Sequence, residues 1–183
     1  MASISDAHET VEIPIIAAAL QRLVLPRQSQ IWAVLNPGAG EREHAYRLAS
    51  TFLGRMCLSG DVGGLNPMEL EIIKRATAMY RRCVPVIRGG KSKVTDKRVG
   101  ESWRHPQGWQ SVLRYMPEQA VVVVHGFEKS QGWWRVDLPA GEWRVLETLT
   151  GMKADVRGGG LEGLFEGEWE AQVVLCGSAG SVL

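Results

Sequence analysis

The segment from Phe52 to Val62 constrains the fold of this chain more than any other stretch. Its apolar run, Met56–Leu58, is too short for a helix, and the polar turn Ser59–Asp61 ends it at once. The segment therefore predicts a short buried strand with a carboxylate, Asp61, just past its carboxyl end. Sites at the carboxyl ends of strands are typical of (β/α) proteins.

A helix is predicted directly after this turn. Asn66 is a good N-cap, Pro67 suits the first helical position, and Glu69 stands where a capping box places an acid. Helical spacing of apolar residues predicts three helices in the first 90 residues. They are Glu9–Leu23, with its regular part starting near Glu12, then Glu41–Leu53 and Pro67–Cys83.

Two more strands accompany these helices. A short strand ending at Asp6 would place a second carboxylate at a strand end. Gln28–Leu35, with Ile31, Ala33 and Leu35 on one face, is either a strand or a buried connection. About 90 residues thus hold three strands and three helices, whereas a closed (β/α)₈ barrel takes roughly 250 residues. The part is either a small open α/β unit or the last portion of a barrel.

The pattern changes near Gly89, where a polar break, Gly89–Lys93, precedes a region without helical periodicity. Short β runs separated by Gly or Pro turns predict a small antiparallel sandwich. The runs are Trp109–Tyr115, Ala120–Phe127, Trp134–Leu138, Trp143–Leu149 and Trp169–Leu175. Val121–Val124 is apolar on both faces and should be a central strand. We therefore expect an α/β domain at residues 1–95 and an all-β domain at residues 96–183.

Composition excludes several classes of function. The formal net charge of +1 and the 22% of charged residues provide no strong field for nucleic acid or an anionic membrane. No apolar run has the length of a membrane helix, and no secretory signal is visible. Cys57, Cys83 and Cys176 are far apart and odd in number, which favours neither a disulfide framework nor a zinc site. We expect small buried thiols in a reducing compartment.

Several long ordered segments carry a resemblance to a known family. Leu25–Leu35 and Thr51–Asp61, followed by the capped helix up to Gly90, closely resemble the α-galactosidases of glycoside hydrolase family 36. The similarity resumes at Pro106–Gln110 and Val121–Phe127, so that it covers about residues 3–150.

The resemblance implies a cytoplasmic retaining glycosidase that acts on galactoside oligosaccharides. It also implies an architecture: the last strands and helices of a (β/α)₈ catalytic barrel, followed by a C-terminal antiparallel β-sandwich. Neither a metal nor an organic cofactor is implied, and a homo-oligomer is left open.

Retaining glycosidases need two carboxylates, a nucleophile and an acid/base. The family places its nucleophile in a Lys-x-Asp-like setting, which no residue here matches, so we expect it upstream of this sequence. The family's acid/base is an Asp after a Ser at a strand end, a pattern that Ser5-Asp6 fits. We therefore predict Asp6 as the general acid/base, while a helix-capping role for Asp6 stays open. Asp61 is the rival carboxylate and is interpreted as a turn residue.

Two alternatives remain at this stage. Family members that act on α-N-acetylgalactosaminides or transfer galactosyl groups would differ mostly in residues upstream. A non-catalytic carbohydrate-binding or interaction module built on the β part would instead expose tryptophans such as Trp133, Trp134 and Trp143. The catalytic interpretation expects these side chains to be mostly core.

Overall fold

The computed structural model of the protein describes residues 2–4, 11–97, 99 and 105–179. Its first part is a three-stranded parallel sheet with helices following the strands. The strands are β1 (Ala2–Ile4), β2 (Ser29–Leu35) and β3 (Arg55–Gly60), in that order in the sheet, and the helices are α1 (Glu12–Leu20), α2 (Gly40–Thr51) and α3 (Pro67–Gly89). The predicted alternation of helices and strands is confirmed.

β2 forms where the alternating apolar residues placed it. β3 forms at the run Met56–Leu58, but it continues through Ser59 to Gly60 and its residues are half-buried or exposed, so the expectation of a buried strand that ends before Ser59 is wrong. β2 buries alternate side chains, and Ile31, Ala33 and Leu35 are inaccessible to solvent. The segment left open as a strand or a connection is therefore a strand. β3 ends at Gly60, whose φ is +97° and whose added Cβ would lie 2.2 Å from the backbone oxygen of Leu35. Only glycine fits this close approach of the two strand ends.

The amino terminus of α3 is the predicted capping box. The Asn66 side chain accepts hydrogen bonds from the backbone N–H groups of Met68 (2.9 Å) and Glu69 (3.0 Å). Oε2 of Glu69 accepts one in return from the backbone N–H of Asn66 at 3.0 Å. These bonds occupy donors that a helix start leaves without helical partners.

The predicted end of α3 at Cys83 is wrong, because the helix continues through Pro85 to Gly89. Pro85 removes one helical N–H, but the turn beyond it buries Val86 and Ile87 in the core. The buried guanidinium of Arg114 also donates hydrogen bonds to the carbonyls of Val86 (3.1 Å) and Ile87 (2.8 Å). A cation at this end of the helix complements its dipole.

The rest of the chain forms two antiparallel sheets. The strands are β4 (Lys91–Lys97), β5 (Trp109–Tyr115), β6 (Gln119–Gly126), β7 (Gly132–Asp137), β8 (Trp143–Thr148), β9 (Ala154–Arg157), β10 (Gly160–Phe165) and β11 (Ala171–Ser178). The larger sheet has the order β4-β5-β6-β11-β8, and the smaller has the order β7-β10-β9. The fold class of an α/β part followed by an antiparallel β part is thus confirmed.

The five-stranded sheet lies between the helices and the small sheet. Val121 and Val123 of β6 belong to the core shared with the helices. Val122 and Val124 belong to a second core that includes Trp134 of the small sheet. β6 is therefore buried on both faces, and the prediction that Val121–Val124 forms a central strand is confirmed.

Three strands were not predicted. β4 overlaps the segment interpreted as a polar break. It was missed because Lys91, Lys93 and Lys97 give this edge strand an exposed charged face. Lysines on an edge strand disfavour pairing with other chains. β9 and β10 flank the tight turn at Gly158 and Gly159. β9 has only four residues, and β10 contains two glycines, so neither gives a clear alternating pattern.

The division into residues 1–95 and 96–183 stays a prediction. The expected boundary falls within β4, which is hydrogen-bonded along its length to β5. Within the described ranges, no helix is both long and apolar enough to cross a membrane.

Candidate functional site

The carboxyl edge of the parallel sheet is the natural place to look for a site, because loops from neighbouring strands meet there. β2 leads into the loop Asn36–Ala39 before α2, and β3 leads into a turn that starts at Asp61. Asp6, the predicted general acid/base, stands in the sequence between β1 and α1. It lies outside the described residues, so its role stays a prediction.

A buried carboxylate organises this edge. Glu69 of α3 is 3% exposed, and its Oε1 accepts hydrogen bonds from the backbone N–H groups of Gly38 (2.8 Å) and Gly40 (3.4 Å). Nε2 of His44, on α2, lies 3.5 Å from the same oxygen. The capping hydrogen bond from Asn66, together with those from the glycine N–H groups, holds the pKa of Glu69 below its ordinary value. Glu69 is therefore an ionised acceptor that joins the loop after β2 to the start of α3.

Asp61 serves the turn in which it lies. Its Oδ1 accepts a hydrogen bond from the backbone N–H of Gly64 at 3.1 Å, and its side chain is exposed. The role of turn residue, expected from the sequence, is confirmed. This carboxylate is occupied in closing the short helical turn Val62–Gly64.

A pocket of about 420 Å³ lies on the same side of the sheet. It opens between the start of α1 at Val11, the start of α2 at Ala39 and the Glu168–Trp169 turn of the antiparallel part. Arg42, on α2, ties this turn in place through a hydrogen bond to the carbonyl of Glu168 and an ion pair with Glu170 at 3.4 Å.

Aromatic side chains form one wall of this pocket. Trp169 is 36% exposed and has a φ of +57°, a conformation that few residues other than glycine adopt. Its ring lies edge-on to Tyr46, at a centroid distance of 6.5 Å, and to Phe127, at 6.1 Å. Tyr46 is buried, and burial raises the pKa of its phenol. An apolar wall beside a guanidinium and carboxylates suits a polar ligand with an apolar face.

The sequence indicated only part of this arrangement. The capping position of Glu69 was visible, but its contacts with the loop after β2 and with His44 join distant segments. Trp169 was expected to begin a strand, whereas β11 begins at Ala171 and Trp169 lies in the preceding turn. A tryptophan between acidic residues in a glycine-containing stretch, Gly167–Glu170, was the available signal.

The tryptophans of the β part divide between core and surface. Trp134 is 1% exposed and belongs to the core, as the catalytic interpretation expected. Trp143 is half-buried and donates a hydrogen bond to the carbonyl of Pro139 at 2.9 Å. Trp133 is 72% exposed, so the expectation of a core position is wrong for this residue. Strand alternation explains the difference, because Trp133 and Trp134 point to opposite faces of β7.

No protein-family model matches the sequence, and no curated protein matches it either. Comparison of the fold is informative, since 48 solved chains match. Five of the similar structures are α-galactosidases.

Three of these structures show the extent of the likeness. The α-galactosidase from Lactobacillus brevis aligns with 98% of this chain and 26% of its own, at 12% identity and a TM-score of 0.72. A GH36 α-galactosidase, AgaA from Geobacillus stearothermophilus, in complex with raffinose, aligns with 96% of this chain and 25% of its own, at 11% identity and a TM-score of 0.71. The galactosidase domain of AgaSK, an α-galactosidase-sucrose kinase, aligns with 95% of this chain and 25% of its own, at 14% identity and a TM-score of 0.69.

This chain therefore has a fold found within GH36 α-galactosidases, and it spans about a quarter of the length of those chains. The resemblance to glycoside hydrolase family 36 is confirmed at the level of the fold.

Proposed function

We propose that this chain forms the C-terminal part of a retaining α-galactosidase, which hydrolyses terminal α-D-galactosyl residues of oligosaccharides. The observation that carries the proposal is the alignment of 95–98% of the chain with α-galactosidases, which extends over both the parallel and the antiparallel parts. The parallel strands β1–β3 with α1–α3 would then be the last units of a (β/α)₈ barrel.

Asp6 is the proposed general acid/base. It follows β1 in the sequence, and barrel enzymes place their catalytic groups after the carboxyl ends of strands. In a retaining mechanism, this group protonates the leaving oxygen and then activates water. The nucleophile would be supplied by an earlier barrel strand, upstream of this sequence. The 183 residues alone should therefore be catalytically inactive.

Other parts of the proposal follow from the same assignment. The proposed substrate is a galactoside oligosaccharide, and the proposed location of the protein is the cytoplasm. Neither nucleic acid nor a membrane is a partner, and a homo-oligomer is left open. The near-neutral charge supports the exclusion of nucleic acid.

The test uses the polypeptide encoded when the reading frame is extended upstream of Met1. We expect it to hydrolyse both melibiose and p-nitrophenyl α-galactoside. Asp6→Asn should lower kcat for melibiose by about 10²–10⁴-fold, the usual contribution of general acid–base catalysis. The loss should be smaller for p-nitrophenyl α-galactoside, because its leaving group departs without a proton. Azide should restore turnover of this activated substrate and give an α-galactosyl azide, since a small anion replaces the activated water.

Asp61→Asn is the matched control, because Asp61 also follows a strand and an amide oxygen can still accept the bond from Gly64. We expect its activity to stay within twofold of the parent. If Asp6→Asn lowered kcat by the same factor for both substrates, or did not lower it for melibiose, the assignment of Asp6 would be refuted. A polypeptide without α-galactosidase activity that is nevertheless folded would refute the proposed function itself.

A further inference from the structure

A groove of about 640 Å³ runs along the open side of the antiparallel sandwich. One wall is β4, the edge strand of the larger sheet, and the other is β7, the edge strand of the smaller sheet. The start of β5 and the loop 127–131 close the groove at its base. Among the residues that the structure describes, none that lines the groove comes from the parallel sheet or its helices.

Two indoles line this groove. Trp133 stands on the outer face of β7 and is 72% exposed, whereas its neighbour Trp134 fills the core. Trp109, at the start of β5, is half-buried and packs against the second core. A large apolar side chain left in water forgoes the stabilisation that burial would bring, and a ligand that covers Trp133 would recover it.

The base of the groove is held in one conformation. The backbone N–H groups of Gly108 and Phe127 bond to the carbonyls of Glu128 (2.7 Å) and Gly108 (2.8 Å), which joins the two segments. The backbone N–H of Lys129 donates to Oε1 of Glu168 at 2.8 Å. A ligand would therefore meet a preformed surface and would not have to order a loop.

The polar groups around the indoles include both donors and acceptors. Lys97 and Lys129 line the groove, and their ammonium groups form no ion pair within the described ranges. Thr95 and Gln131 can each donate and accept, and the carboxylate of Asp137 accepts. The remaining cation, Arg135, bonds to Glu162, to the carbonyl of Gly158 at 2.8 Å and to Asp137 at 3.4 Å.

This combination selects among possible ligands. A pyranose ring offers an apolar C–H face to a flat indole and hydroxyl groups, which both donate and accept, to the polar rim. The carboxylate of Asp137 is paired with Arg135 at 3.4 Å, so an acidic sugar or a nucleic acid would bind through Lys97 and Lys129 and would not need the indole. We propose that the Trp133 groove binds a neutral oligosaccharide chain, with one ring stacked on Trp133. This binding goes beyond the hydrolysis proposed above and does not depend on Asp6.

The test is native electrophoresis of the 183-residue chain in gels that contain neutral galactomannan or hydroxyethyl cellulose. We expect either polysaccharide to retard the protein, and Trp133→Ala to weaken the interaction at least about tenfold. Leu164→Ala is the matched control, because Leu164 is directly opposite Trp133 on β10 and is also exposed. It should change the affinity by less than twofold. Both side chains are on the surface, so both variants should melt within about 3 °C of the parent.

Three results would overturn the proposal. They are equal retardation of the Trp133→Ala variant and the parent, no retardation by either neutral polysaccharide, and retardation only in parallel gels that contain polygalacturonate or single-stranded DNA. The last result would indicate an electrostatic site centred on Lys97 and Lys129. None of these results affects the hydrolysis assay with Asp6→Asn, so the two proposals fail separately.

Discussion

Mild acid should destabilise this protein through His125, which lies on β6 where the five-stranded sheet meets α2. The side chain is 1% exposed. Its Nε2 lies 3.2 Å from Oγ of Ser50 and 3.4 Å from the backbone oxygen of Tyr46, and its ring is edge-on to the Tyr46 ring at 5.1 Å. Burial lowers the pKa of His125 to about 3, despite the opposing hydrogen bond to Tyr46.

The sign and size of the effect follow from linkage. The ordinary pKa of histidine is 6.5, so the unfolded chain takes up a proton at this position below pH 6.5, whereas the folded protein does so only near pH 3. The free energy of unfolding is therefore unaffected above pH 6.5 and falls as the pH decreases toward 3. Each pH unit inside this window removes about 1.4 kcal/mol, which gives a loss of about 2 kcal/mol between pH 6.5 and pH 5.

The assay is urea unfolding followed by tryptophan fluorescence at pH 7 and pH 5. The His125→Gln variant is the comparison, because glutamine can still bond to Ser50 but does not titrate. We expect the parent to lose about 2 kcal/mol more than the variant between the two pH values. Carboxylates such as Glu69, with its lowered pKa, stay ionised in this range and contribute little to the difference. An equal pH dependence of parent and variant would refute the argument.

Three further predictions concern single positions. Asn66→Ala should lower the free energy of unfolding by about 1 kcal/mol, and Asn66→Asp should not, as urea titration can measure. Gly60→Ala should cost about 2 kcal/mol or more by the same measurement, because of its positive φ and the nearby Leu35 oxygen. In the native protein, a thiol reagent should modify only Cys57, since Cys83 and Cys176 are buried and burial raises the pKa of each to about 12. Rapid native labelling of all three thiols would contradict this.

Local signals predicted much of the fold. The strand at Met56–Leu58 and the cap at Asn66 lie in short segments whose structure depends on neighbours in sequence, and both are confirmed, although β3 is a partly exposed edge strand and not the buried strand that was expected. The two-faced apolar run Val121–Val124 required a partner on each side, and the structure provides the helices on one side and the small sheet on the other. Such patterns record burial directly.

The errors arose where tertiary contacts outweigh local preference. Pro85 would end an isolated helix, but burial of Val86 and Ile87 and the bonds from Arg114 carry α3 past it. The lysine-rich sequence of β4 is typical of a loop, but hydrogen bonds to β5 hold it as a strand. Arg114 and β5 lie outside these short segments, so no pattern within the segments could indicate the contacts.

The candidate site was the least predictable part. Glu69 was identified as a helix cap, yet it also joins the loop after β2 to α3 through bonds to Gly38 and Gly40. The exposed position of Trp133 depends on which face of β7 meets the second core. Sequence alternation indicates that adjacent tryptophans diverge, but only the packing of the two sheets decides which one is exposed.

The central claim is that this chain completes an α-galactosidase barrel, and the most direct measurement is to read the coding DNA upstream of the codon for Met1. The account predicts an open frame of several hundred codons that continues into this sequence without interruption. It should encode earlier barrel strands and an aspartate in a Lys-x-Asp-like setting for the nucleophile. An in-frame stop codon directly before Met1, with the natural protein starting there, would contradict the claim.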